Sequence, residues 1–267
     1  MTQDTPPPPP NSEQMASPSF QLAALDQDFL LSDAMRGVRF MLEYYKAETL
    51  LRQARIVSTI VVFGSARTRE NGPEREAIWY TEARKFGRIA SERGGALTRE
   101  GGVRRHVIAT GGGPGAMEAA CRGARDVGAP AIGFNITLPY EQRPNAYTTP
   151  ELTFSFHYFA MRKMHLAMRA KALVIFPGGF GTLDELFEIL TLRQTRKVTD
   201  MPIVLFDEGY WREIVNFDAL VKHGVINEAD LTLFRFADTA QAAWEALIEQ
   251  GLEVGLADSE VDIARDM

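Results

Sequence analysis

From Val57 onward, apolar residues fall into two alternating kinds of segment. Short unbroken apolar runs over 60–63, 107–109, 131–134, 172–176 and 203–206 read as strands buried on both faces. Between them stand longer stretches with apolar positions at helical spacing, over 74–93, 116–126, 161–169, 183–195 and 211–223. A short strand over 231–236 and a helix over 239–250 complete the series. The alternation predicts an α/β domain: a mostly parallel sheet covered by helices on both faces.

The first fifth of the chain is different. Residues 1–20 are rich in Pro, Ser and Gln, a composition expected to stay disordered. From Asp26 to Arg55 the only Gly or Pro is Gly37, and Phe29, Leu30, Met35, Val38, Met41, Leu42, Tyr45 and Leu50 recur at helical spacing. This predicts a helical extension over 21–55, one long helix or two joined near Gly37, whose apolar stripe covers the domain or a partner subunit. The domain itself is expected over 56–251, followed by a loose acidic tail over 252–267.

At 267 residues and 45% hydrophobic, the chain is long enough for one substantial core. A net charge of −6 argues against a surface for nucleic acid polymers. The single cysteine, Cys121, provides no disulfide framework or cysteine zinc site, and four histidines without ligand spacing predict no metal. The N-terminus lacks a basic segment followed by an apolar one, and no apolar run approaches the ~20 residues that span a bilayer. These features predict a cytoplasmic protein without a membrane partner.

Three glycine-containing loops follow three of the strands: Gly64-Ser65-Ala66-Arg67, Gly111 to Gly115, and Gly178 to Thr182. In an open parallel sheet all three lie along one carboxyl edge, where ligands bind. The third, Pro177-Gly-Gly-Phe-Gly-Thr-Leu-Asp-Glu185, runs from strand into helix, which leaves amides and a helix dipole pointing at one spot. A phosphate-bearing ligand is therefore expected. Gly111 to Ala116 satisfies G-x-G-x-x-A, but it follows the second strand, and the next strand ends in Phe134-Asn135 without an acidic residue, which disfavours a dinucleotide. No G-x-x-x-x-G-K-[ST] motif is present.

Thr182 to Glu185 has the form of a capping box, the plain reading of Glu185. A sharper reading sets that carboxylate one ribose length from a phosphate, where it stabilises positive charge on a sugar or positions water. Arg162-Lys163 reads locally as a solvated helix face, Met161, Met164 and Met168 as core, His157 as an ordinary histidine, and Glu118 and Glu141 as helix-start or loop carboxylates.

Taken together, Phe63-Gly-Ser65, Thr110 to Glu118, Leu138 to Asn145, Met161-Arg-Lys163 and Pro177 to Glu185 resemble the LOG (Lonely Guy) family, long mislabelled lysine decarboxylases. The resemblance covers about residues 57–250. It implies a Rossmann-like three-layer α/β/α fold, a homodimer or assembly of dimers, and cofactor-free cleavage of a nucleoside 5′-monophosphate to free base and ribose 5-phosphate. Cytokinin riboside monophosphates and AMP are the implied substrates. By matching motif, Arg162 and Glu185 are the implied catalytic pair. Ser65, Gly112, Gly113, Met117, Glu141, Lys163, Gly178, Gly179, Phe180, Gly181, Thr182 and Thr191 are the implied substrate contacts. Many relatives carry Asn in place of Cys121, a position on the helix behind the loop, with little expected effect on the chemistry. Phe134, Met117 and Tyr158 are candidates for an apolar slot for a prenylated base. The alternatives are a nucleotide or phosphorylated-cofactor binding protein on the same fold, and a pyridoxal-phosphate decarboxylase with Lys163 or Lys171 as its Schiff base.

Overall fold

A computed structural model describes residues 9–98, 102–138, 143–198 and 201–254. Most of the proline-rich run and the acidic tail, together with Glu141, lie outside the described residues. The chain divides into two compact units, residues 1–45 and 46–267, with the division inside a helix.

In the first unit, α1 (Ser12–Ala16) and a 3-10 turn (Pro18–Phe20) form within a stretch whose composition predicts disorder. The Ser17 hydroxyl starts that turn by accepting from the Ser19 N–H. Asp26 caps α2 (Gln27–Leu31), its carboxylate accepting from the Phe29 N–H at 2.9 Å. The expected joint near Gly37 falls instead at Ser32, which is extended and donates its hydroxyl to the Phe29 carbonyl. Gly37 sits in the first turn of α3 (Arg36–Gln53).

The second unit holds the sheet. β1 (Thr59–Phe63) is followed by α4 (Glu74–Arg93), β2 (Val107–Thr110), α5 (Ala116–Asp126), β3 (Ala131–Ile136), β4 (Thr153–Phe156) and α6 (Phe159–Met168). Next come β5 (Ala170–Ile175), α7 (Phe180–Gln194), β6 (Ile203–Phe206), α8 (Glu208–Ile214), α9 (Phe217–Lys222), β7 (Arg235–Ala237) and α10 (Ala240–Glu249). All seven strands run parallel in the order β4-β3-β2-β1-β5-β6-β7. Every residue of β1, β2 and β6 is buried, as the unbroken apolar runs require when both faces are covered. α4, α5 and α10 pack together. The order reverses beside β1, so crossovers of a single hand put α7 on the other face.

Three expectations are corrected here. β4 is an edge strand whose Thr153-Phe-Ser-Phe156 alternates outward and inward. The helix expected over 211–223 breaks in two because the Asn216 side chain accepts from the Ala219 N–H and starts α9 afresh. The strand expected over 231–236 shrinks to β7, because Asn227 and Asp230 form a capping box that winds Glu228–Leu233 into a 3-10 helix.

At the amino edge of the sheet, Arg169 donates two hydrogen bonds to Glu48, at 2.8 and 2.9 Å, and a third from Nε to the Ile56 carbonyl. Arg52 adds a contact to Glu48 at 2.6 Å. The Arg169 and Glu48 side chains are only 5% and 7% exposed. The Arg169 hydrogen bonds hold the Glu48 carboxyl down at about 2, against burial, with Arg52 assisting. Removing one member of a buried pair strands the other charge. Glu48→Ala is therefore expected to destabilise the protein by about 3–5 kcal/mol in urea unfolding. The double change Glu48→Leu with Arg169→Met should recover most of that loss.

Candidate functional site

β2, β1 and β5 lie side by side at the centre of the sheet, so the three glycine loops leave from neighbouring carboxyl ends. Ser65 joins them. Its N–H donates to the Pro177 carbonyl at 2.9 Å, and its carbonyl accepts from the Ala116 N–H at 3.1 Å. Gly115 is needed for that approach: its φ is +75°, and a Cβ there would collide with the Ser65 carbonyl. The chain runs from β1 out to β4 and returns to β5 on the opposite side, which makes the crevice between the β1 and β5 loops the switch point of the sheet.

A cavity of about 700 Å³ opens at this crevice. Ser65 to Arg67, Met117, Trp79, Tyr210 and the turn from Pro177 to Leu183 wall it, with Arg162 and Glu185 among its lining. A larger groove of about 820 Å³ lies along α6 and the end of α7. It includes none of the glycine loops, so the smaller cavity is where the chemistry converges.

The carbonyls of Pro177, Gly178 and Gly179 are all engaged. Pro177 accepts from Ser65, Gly178 from the Tyr210 hydroxyl at 2.7 Å, and Gly179 from the N–H groups of Thr182 and Leu183 at 2.9 and 3.0 Å. Among the described residues, the N–H groups of Gly178, Gly179, Phe180 and Gly181 meet no acceptor. Four such amides at the start of the 15-residue α7 are suited to an anion, because the partial positive charge of the helix dipole adds to their own.

The capping box is absent. Gly179 lets the chain enter α7 at Phe180, so Thr182 falls inside the first turn, and no side chain caps the start. Glu185 is instead buried and faces Arg162 of α6, whose Nη2 donates to Glu185 Oε1 at 3.2 Å. The Arg162 guanidinium lies 5.3 Å over the Phe159 ring, and its Nε is buried without a hydrogen-bond partner. Burial pushes the Glu185 carboxyl up to about 7, although Arg162 and Lys163 pull the other way. Burial also lowers the Arg162 value against the attraction of Glu185. One long contact is too weak to offset the desolvation of both groups.

Other expected site residues stand apart from the cavity. Lys163 is held by Asp184 at 2.7 Å and Glu188 at 2.8 Å, which latches α6 to α7. Thr191 donates its hydroxyl to the Phe187 carbonyl and lines a separate surface groove with Lys163 and Phe187. Gly112 and Gly113 support the second loop, their carbonyls accepting from Asn145 Nδ2 at 3.2 and 3.1 Å. Phe134 is core, stacked on Phe154, and Tyr158 precedes α6 outside the cavity lining. Cys121 is fully buried beside Thr110 and Asn145, and burial pushes its thiol to about 11. Lys171 belongs to β5 at its amino end, the edge opposite the glycine loops. Trp79, Tyr210 and Ile214 line the cavity without having been expected there.

Residues 117–247 match the family model described as possible lysine decarboxylase. The cytokinin riboside 5′-monophosphate phosphoribohydrolase LOG3 of Arabidopsis thaliana is 33% identical over 90 residues, 33% of this chain and 41% of that protein. The probable enzyme of the same name, LOGL5, from Oryza sativa subsp. japonica is 28% identical over 174 residues, 64% of this chain and 65% of its own length. The chain thus spans less than half of LOG3 and just under two thirds of LOGL5. The X-ray structure of the structural-genomics target TM1055 is similar in fold, with a TM-score of 0.50 at 21% identity, over 72% of this chain and 99% of that one.

A raised carboxyl value has a stability signature. Folded Glu185 keeps its proton up to about 7, above its ordinary value of 4.5, so its contribution to stability is lost as pH rises through that window. Glu185→Gln mimics the protonated form at every pH. Its melting temperature is expected to rise relative to wild type between about pH 5 and about pH 8. A gap that stays constant across thermal scans over that range would show that Glu185 is ionised throughout.

Proposed function

Because the chain belongs to the LOG family, we propose that it hydrolyses the N-glycosidic bond of nucleoside 5′-monophosphates. Cytokinin riboside 5′-monophosphates and AMP are the substrates in this reading, and the products are the free base and ribose 5-phosphate. The observation that carries it is the buried Arg162–Glu185 pair lining the same cavity as four uncommitted amides. A cradle that only held phosphate would gain nothing from a buried carboxylate, which repels the anion and costs desolvation. A sugar that develops positive charge on losing its base needs such a group.

In this mechanism the amides of residues 178–181 and the dipole of α7 hold the 5′-phosphate. Arg162 supplies a charge-assisted contact with its unengaged Nε. Glu185, ionised, stabilises the cation at C1′ or orients water toward it. Pyridoxal chemistry has less support: Lys163 is occupied by two carboxylates, and neither it nor Lys171 lines the cavity. A homodimer or assembly of dimers is the proposed working form. The exposed apolar side chains of Phe159 on α6 and of Phe180 and Phe187 on α7 support a second copy covering that face.

Incubation of the purified protein with AMP or isopentenyladenosine 5′-monophosphate, read by chromatography, tests the reading. Wild type is expected to release free base and ribose 5-phosphate, and Glu185→Gln to lower turnover by at least ~10²-fold with its fold intact. Intact nucleotides from both proteins would make this a binding protein.

The pH profile is a separate check. Because the ionised carboxylate is the active form, kcat/KM should climb about tenfold per pH unit and level off above about 7. A profile flat from pH ~5 to ~8 would remove Glu185 ionisation from the mechanism.

A further inference from the structure

The turn after β6 stands beside the third glycine loop, because β6 pairs with β5. Its first residue, Asp207, has φ +70° and ψ 83°, a left-handed conformation that is costly for a residue with a Cβ. Such strain persists only where surrounding contacts over-determine it. The Asp207 carboxylate accepts from Arg75 Nε and Nη2 at 3.1 Å each, from Trp79 Nε1 at 2.8 Å and from the Tyr210 N–H at 2.9 Å. Its own N–H donates to the Ala237 carbonyl at 2.9 Å. These bonds start α8 in a fixed direction and deliver the half-buried Tyr210 ring to the loop, edge-on to Trp79 and Trp211.

There the Tyr210 hydroxyl donates to the Gly178 carbonyl at 2.7 Å. In a planar trans peptide, the carbonyl of one residue and the N–H of the next point in opposite directions. Holding the Gly178 carbonyl therefore sets the direction of the Gly179 N–H, one of the four uncommitted amides. Glycine flanks this peptide on both sides, so little else in the chain resists its rotation. A rotated plane would turn a carbonyl dipole, rather than an N–H, toward a bound anion.

We infer that Tyr210, oriented by Asp207, is a positioning residue that keeps the Gly178–Gly179 peptide turned for anion binding. The inference rests on the reading of this loop as the phosphate site. It assigns to the protein a control on substrate affinity that comes from the far side of β5.

Tyr210→Phe removes the hydroxyl and keeps the ring packing. The KM for AMP and the calorimetric Kd for inorganic phosphate are expected to rise together, by about five- to tenfold, the scale of one hydrogen bond. The kcat should stay within about twofold, because the Arg162–Glu185 pair is untouched. A fall in kcat with unchanged KM and phosphate Kd would mean that Tyr210 only packs α8, and would overturn the inference. So would a wild-type protein that binds neither phosphate nor AMP. If wild type binds phosphate and leaves AMP intact, the hydrolase reading fails, and the phosphate Kd of the variant alone decides the inference. Should Tyr210→Phe not fold, Trp79→Phe removes one donor to Asp207 and carries the same comparison with a smaller rise.

Discussion

The peptide groups of Ser65 hold the site together. One hydrogen bond to Pro177 and one from Ala116 extend the parallel ladder past the ends of the strands and into the loops. The β1, β2 and β5 loops are thereby fixed to one another as well as to the sheet. Everything chemical is built on that edge. The carbonyls of the third loop are turned to partners, its amides are left over, and α7 brings Glu185 beneath them in its second turn. Small residues at Gly64, Gly115 and Gly178 are what allow backbones to approach this closely, since a Cβ at any of them would meet neighbouring atoms.

Two buried Arg–Glu pairs in one domain end up in opposite electrostatic states. Glu48 has two guanidinium partners and two bonds from Arg169, and its carboxyl sits at about 2. Glu185 has one contact at 3.2 Å, and burial lifts it to about 7. The residue types are the same; deeper burial of Glu185, together with fewer and longer hydrogen bonds, lets desolvation overcome pairing there. The first pair fastens the end of α3 around Glu48 to the amino edge of the sheet. The second is left under-satisfied at the carboxyl edge, where a ligand can complete it. The groups that stabilise the protein and the groups that face the cavity are thus separated by the length of the strands.

Most strands and helices were legible because buried parallel strands are unbroken apolar runs and the helices between them keep their period. The meeting of the glycine loops was legible for the same reason: a glycine after such a run is a local signal, and parallel strands put such signals on one edge. Glu185 had two readings in its own sequence, a cap or a charge-stabilising carboxylate, and only the family resemblance favoured the second. Its neighbourhood in sequence spells a capping box, and only the early entry of α7 at Phe180 reveals that the carboxylate points elsewhere. Lys163 lies outside the cavity lining because its partners, Asp184 and Glu188, are on the helix after the next strand, and adjacency to Arg162 says nothing about direction. Trp79 and Tyr210 gave no signal, since one follows β1, the other follows β6, and they meet only through strand order. The β4 strand had its signal in the alternation of Thr153 to Phe156, but four residues are too few to stand out from the surrounding loop.

The tie between Tyr210 and Gly178 also bears on the order in which the protein becomes competent as it is synthesised. A nascent chain that has emerged through α7 already contains all three glycine loops, Arg162 and Glu185. It still lacks β6, which covers the outer edge of β5, and the turn that carries Asp207 and Tyr210. The Arg162–Glu185 pair is thus complete in covalent terms before the third glycine loop is held. The tie that holds Gly178 arrives afterwards, with a segment that follows both members of the pair in the chain.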